Sequence, residues 1–332
     1  MSAADISLYS ISIAAIVVLF MVLESTDWGI SAVMPYLTKH AGDRRAMARI
    51  LRPACKGTEL CLLAAILWLH ELFPRYTATH QQALWGAVAV VVISLLLRTV
   101  LAWRRHDDTG AARLLARANA LAAIVVIGTA GWFLLTFFEE ISFGVLPHPW
   151  MWLPMACLSA CWAVLALGVQ GAYVIACRAA NPLAERARAT ALVLTVPMVL
   201  LYLLLFASVG MIGDIPGETL ISMLLGVIPL TLYIGGFIAA RQRHTGAAVG
   251  LTFTALPVLA AAFLFTLRNV TTEFAVGSAL AQYHIPTSVV ALVAVGTVMG
   301  IAAKIWRWRQ PREQVATGYE WDTLRARRGI EK

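Results

Sequence analysis

Nine long apolar runs, separated by short polar stretches, constrain this chain more than any other feature. They fall near 9–36, 55–73, 82–103, 112–137, 149–177, 189–212, 217–240, 247–268 and 286–306. A bilayer core about 30 Å thick needs about 20 mostly apolar residues per helix, and each run supplies that length. With 60% hydrophobic and only 13% charged residues among 332, no water-facing shell of this chain can cover its apolar side chains. A soluble enzyme, a disordered protein and a secreted disulfide scaffold are excluded. The expected fold class is an all-α polytopic membrane protein with nine transmembrane helices.

The charges give the runs a direction. Lys39, Arg44, Arg45, Arg49 and Arg52 lie between runs one and two, and Arg104, Arg105, Arg113 and Arg117 follow run three. Arg178, Arg186 and Arg188 follow run five, Arg241 and Arg243 follow run seven, and eight more basic residues lie from Lys304 onward. The alternate loops hold only Arg75 and Arg268 beside several acids. Cytoplasmic loops retain Lys and Arg, so the expected topology has the N-terminus outside and the C-terminus in the cytoplasm. That topology needs an odd number of spans. The net charge of +8 then reflects loop placement and implies no nucleic-acid partner. No cleavable signal peptide is expected, because only Asp5 precedes the first run and there is no basic n-region.

Ionisable groups inside lipid are costly, so each needs a reason. Glu24 and Asp27 stand three apart on run one, and Lys56 and Glu59 three apart on run two. Run one descends to the end from which run two returns, so the two faces overlap in depth and an Asp27–Lys56 ion pair is expected. Arg98, near the cytoplasmic end of run three, snorkels or joins the cluster. Two readings stand side by side: an ion-pair network fixing helix register, and a carboxylate route for protons.

The other polar residues carry less. Cys55, Cys61, Cys157, Cys161 and Cys177 lie inside or at the edge of apolar runs, and neither Cys157 nor Cys161 has a His or acidic neighbour at ligand spacing, so they are expected to pack as small apolar residues. His70, His148 and His284 lie on the outer side, at or beyond the ends of the apolar runs, which makes them poor haem ligands. No metal site, phosphate loop or nucleophile triad is present. Trp103, Trp150, Trp152, Trp306 and Trp308 sit at run ends as an interfacial belt.

Several strings occur in a recognisable order: LESTDWGISAVMPYL (23–37), RPACKGTELCLL (52–63), LFPRY (72–76), LLLRTVLAWRR (95–105) and LGVQGAYVIACRAANPLAERARATA (167–191). Together they resemble subunit II of cytochrome bd quinol oxidases over about half the chain. Glu24, Asp27 and Gly29 align with the family's D-G-F-D-x-G, and Pro53, Gly57 and Glu59 with P-x-W-D-G-N-E. Arg98 and Arg105 match a paired-arginine pattern. Gly171, Tyr173, Arg186 and Arg188 fall in the stretch that resembles the fifth span and its following loop.

The resemblance implies two four-helix bundles, 1–140 and 141–270, and a peripheral ninth helix with a polar tail, 271–332. It implies a haem-free, non-catalytic subunit of a bacterial inner-membrane oxidase. Its haem-carrying partner, subunit I, holds haem b and haem d, or b-type haem only, and oxidises quinol while dioxygen is reduced to water. A structural quinone and a small single-span accessory subunit belong to the same expectation. Glu24, Asp27 and Glu59 are the expected proton path, with Lys56 and Arg98 as ion-pair partners or modulators.

One departure matters. The family's Trp-Asp pair on span two is Cys55-Lys56 here, which replaces a proton-path carboxylate with a cation. A fixed ammonium would favour ionised carboxylates nearby and make them poorer relays. Lys56 is therefore expected to pair with Asp27, leaving Glu24 and Glu59 as the relay. Two other functions compete: a structural partner of a bd-like haem subunit with different redox chemistry, and a secondary transporter or ion channel. Against the transporter, no run shows paired Gly/Pro interruptions in corresponding halves; Pro154, Pro197, Pro229 and Pro257 lie one each in runs five to eight and can act as ordinary kinks.

Overall fold

The computed structural model describes residues 25–51, most of 85–97, 110–143, 149–212 and most of 219–259. All regular structure among these residues is helical. The helices are α1 (25–37), α2 (Ala41–Leu51), α3 (Gly110–Phe143), α4 (Pro149–Arg178), α5 (Leu183–Ile212), α6 (Thr219–Arg241) and α7 (Thr245–Leu256). The described part of 85–97 is also helical.

Runs four to seven map onto α3 to α6 with ends within about six residues. Runs two and nine lie outside the described residues, as do most of run one, part of run three and the end of run eight. The stretches Leu153–Arg178 and Leu183–Ser208 are each long and apolar enough to cross a bilayer. Pro154, Pro197 and Pro229 lie inside continuous helices. They do not interrupt the spans, as neighbouring helices in a bundle allow.

Two features differ from the expectation. The first polar loop contains α2, an amphipathic helix whose Ala46, Met47 and Ile50 are buried. These positions share a face, which a basic sequence of low hydropathy conceals. Secondly, α5 begins at Leu183, ahead of its apolar run, because two polar turns carry Glu185, Arg186 and Arg188 into the helix.

The core is built around α4. It packs along α3 and α5, α5 also meets α6, and α2 touches α4. Small residues make the α3–α4 contact close. A Cβ on Gly131 would lie 2.8 Å from Ala163 Cβ and 2.9 Å from Ser159 O, and Ser159 Oγ donates to Gly131 O at 2.8 Å. Such approaches are how helices associate where lipid offers no hydrophobic drive. Gly128 meets Val164 and Ala160, so residue numbers rise along α3 as they fall along α4, and the two run antiparallel. By contrast α5 turns Val193, Val196, Leu200 and Leu204 outward, an apolar face suited to acyl chains. Cys157 and Cys161 are free thiols, not disulfides, and with Leu153 they form an outward apolar row on α4.

Candidate functional site

Asp27 lies on α1 between buried Ser25 and Trp28, and is itself buried. Its backbone carbonyl accepts a hydrogen bond from Ser31 Oγ at 2.8 Å, one turn on. Ten residues separate Asp27 from Leu37, the end of α1, which places the carboxyl about 15 Å from that end. A carboxyl held at such depth is expensive, and in membrane helices such groups mark ion and proton routes or internal pairs.

Gly29 holds α1 in place. A Cβ on Gly29 would fall on the carbonyl oxygen of Leu167, and one on Gly171 would fall on the Gly29 carbonyl carbon and the Ile30 amide. Only glycine at both positions lets the two backbones touch. Gly29 and Gly171, drawn from separate family strings, thus form one contact, two residues along α1 from Asp27.

The end of α1 is fixed by an arginine from α5. Arg186 donates through Nη1 to Leu37 O at 2.8 Å and through Nη2 to Asp43 Oδ2 at 2.9 Å. Asp43 Oδ2 also accepts the backbone N–H groups of Lys39 (3.1 Å) and His40 (3.2 Å), capping the first turn of α2. One guanidinium therefore ties the α1 terminus, the α2 start and α5 together. Arg188, two residues on and on the opposite face, bonds Glu185 Oε2 at 2.7 Å and Ala240 O at 3.3 Å. Ala240 belongs to the last turn of α6. There Arg243 adopts φ 66°, and His244 N–H bonds Ala239 O at 2.8 Å, a Schellman-type end. Both arginines thus bond carbonyls at helix C-termini, where the macrodipole favours cations. They bring three basic loops to one end of the molecule, the arrangement expected from loop charge.

Tyr173, the remaining family-string residue, is buried on α4. Its hydroxyl lies 3.3 Å from Thr195 Oγ1 on α5, and Thr195 in turn donates to Ala191 O at 2.7 Å. On the same helix pair Trp162 meets Tyr202 with ring centroids 5.7 Å apart. Tyr202 also donates to Gly226 O of α6 at 2.7 Å.

Glu24, Lys56, Glu59, Arg98, Pro53, Gly57 and Arg105 lie outside the described residues, so the expected Asp27–Lys56 pair falls there as well. Asp43, Glu185 and Thr195 were missed by sequence reasoning. Asp43 had a readable signal, an acid in the first turn of a short amphipathic helix.

Among the described residues no group of three or more His, Cys, Asp or Glu is arranged to hold a metal ion. The two described histidines, His40 and His244, stand exposed in interhelical turns, which does not fit axial ligation of a haem inside the bundle.

The close-packed apolar helices, the carboxyl set within them and the arginine-braced basic end define a helical membrane protein. The sequence pattern of the family described as Cytochrome bd terminal oxidase subunit II matches residues 7–310, and the chain belongs to that family. Cytochrome bd oxidase is an integral membrane complex of the bacterial inner membrane, with haem cofactors and a partner subunit I. Among solved structures the chain is similar to bd oxidase from Geobacillus thermodenitrificans, with a TM-score of 0.64 at 15% identity, covering 92% of this chain and 98% of that one. A comparison with curated protein sequences gives no match.

Proposed function

We propose that this chain is the haem-free subunit II of a quinol-oxidising terminal oxidase. It braces the haem-carrying subunit I and supplies protons from the cytoplasmic side for the reduction of dioxygen to water. The observation that carries the reading is the buried Asp27 carboxyl, set about 15 Å from the arginine-braced end of α1. In this reading Asp27 relays protons together with Glu24 and Glu59 rather than being held by the Lys56 pairing expected from sequence, and Lys56 and Arg98 set the charge balance of the route. The basic end faces the cytoplasm, with the N-terminus outside. The chain divides into bundles 1–140 and 141–270 and a ninth helix with its tail, 271–332. A quinone, where present in this subunit, has a structural role.

His40 and His244 stand in exposed turns, and this reading assigns the haem chemistry to the partner. The chain's own part is to keep the Asp27 carboxyl buried and positioned through Gly29 and Arg186. Tagged chain expressed with its native partners is expected to co-purify with haem absorption bands and to consume oxygen when given quinol. A colourless single chain would overturn the reading in favour of a transporter. Haem bands without oxygen uptake would favour a structural partner in other redox chemistry.

A further inference from the structure

The row of α3 residues spaced four apart, Arg113, Arg117, Leu121 and Val125, is exposed along its length, with Leu114 exposed beside it. We infer that this face is a binding site for an anionic phospholipid. Both guanidiniums face outward one turn apart, and neither has an ion-pair partner among the described residues. The first turn of α3 contains no acid. Like charges at this spacing repel, so an anion that spans both is favoured.

Depth fits the same ligand. Because α3 runs antiparallel to α4, its start lies level with the end of α4 at Arg178, the basic end braced by Arg186. Arginines there lie at the level of lipid headgroups, and their stems can reach up from the hydrocarbon edge. Twelve residues from Arg113 to Val125 span about 18 Å, roughly the depth of a headgroup and one leaflet of acyl chain. A phosphodiester between the arginines, with a chain lying on Leu121 and Val125, satisfies both halves of the row. A protein surface would need a matching acid above a matching apolar strip, whereas a single phospholipid carries both.

The test uses the purified complex in nanodiscs of phosphatidylcholine doped with phosphatidylglycerol, with native mass spectrometry counting the phosphatidylglycerol retained. The Arg113→Gln/Arg117→Gln double variant is expected to retain it roughly 30-fold more weakly, and the double Lys variant to stay within a few-fold of the parent. Equal retention by the Gln variant overturns the site. Loss of a protein subunit with unchanged lipid retention overturns it too, because the face would then be a protein interface. If the Gln variant does not fold, photo-crosslinking phosphatidylglycerol to the unaltered complex decides. Labelling of peptides covering 113–125, competed by phosphatidylglycerol and not by phosphatidylcholine, supports the site; labelling elsewhere overturns it.

Discussion

Gly29 of α1 and Gly171 of α4 meet backbone against backbone, so tightly that a methyl group on Gly171 would coincide with main-chain atoms of Gly29 and Ile30. Main chain cannot swing aside as a side chain can. Gly171→Ala should therefore force α1 away from α4 and destabilise the protein by about 3 kcal/mol. Gly168→Ala, three residues away, is the control: its Cβ would meet Val33 Cγ1 at an ordinary 3.6 Å. Thermal unfolding of the two variants in detergent should separate them clearly. Equal midpoints would mean the glycine contact does not hold the helices.

Arg186 and Arg188 look alike in sequence and should behave differently. The Arg186–Asp43 pair has side-chain exposures of 22% and 4%, against 19% and 44% for Arg188–Glu185. Removing Arg186 strands a nearly buried carboxylate and frees the end of α1, so Arg186→Gln should cost roughly 3 kcal/mol. Arg188→Gln leaves a half-solvated acid and should cost no more than about 1 kcal/mol. Arg186→Lys should not rescue, because an ammonium cannot serve Leu37 O and Asp43 with the same planar fork. A double-mutant cycle with Asp43→Asn measures the coupling; a coupling near zero would contradict the latch.

Tyr202 bonds a backbone carbonyl at 2.7 Å, whereas Tyr173 faces the Thr195 hydroxyl at 3.3 Å, and Thr195 keeps its own bond to Ala191 O. Tyr202→Phe should cost about 1 kcal/mol, and Tyr173→Phe about half as much. The reverse order in melting midpoints would contradict these bond assignments.

Much of the spanning architecture was legible because hydropathy reports length directly: runs four to seven reappear as α3 to α6. The brace at the basic end was only half legible. Loop arginines announced which end was basic, but no spacing in the sequence says that Arg186 reaches Leu37 and Asp43, some 143 residues earlier in the chain. Such pairings arise from the crossing of α1 over α4, and that crossing depends on two glycines whose meeting only three dimensions reveal. The short helix α2 was hidden for another reason. Its apolar face is narrow and its basic residues dominate any average over the window. Asp27 was legible as a charge in an apolar run, which is why burial there was expected at all.

The most direct measurement is quinol-driven oxygen uptake by the purified complex carrying Asp27→Asn, beside Asp27→Glu and the parent. A proton carrier at Asp27 predicts that Asn lowers turnover at least tenfold with the haem bands intact, while Glu keeps most of it. Full turnover by the Asn variant, with subunits and haem retained, would contradict the account.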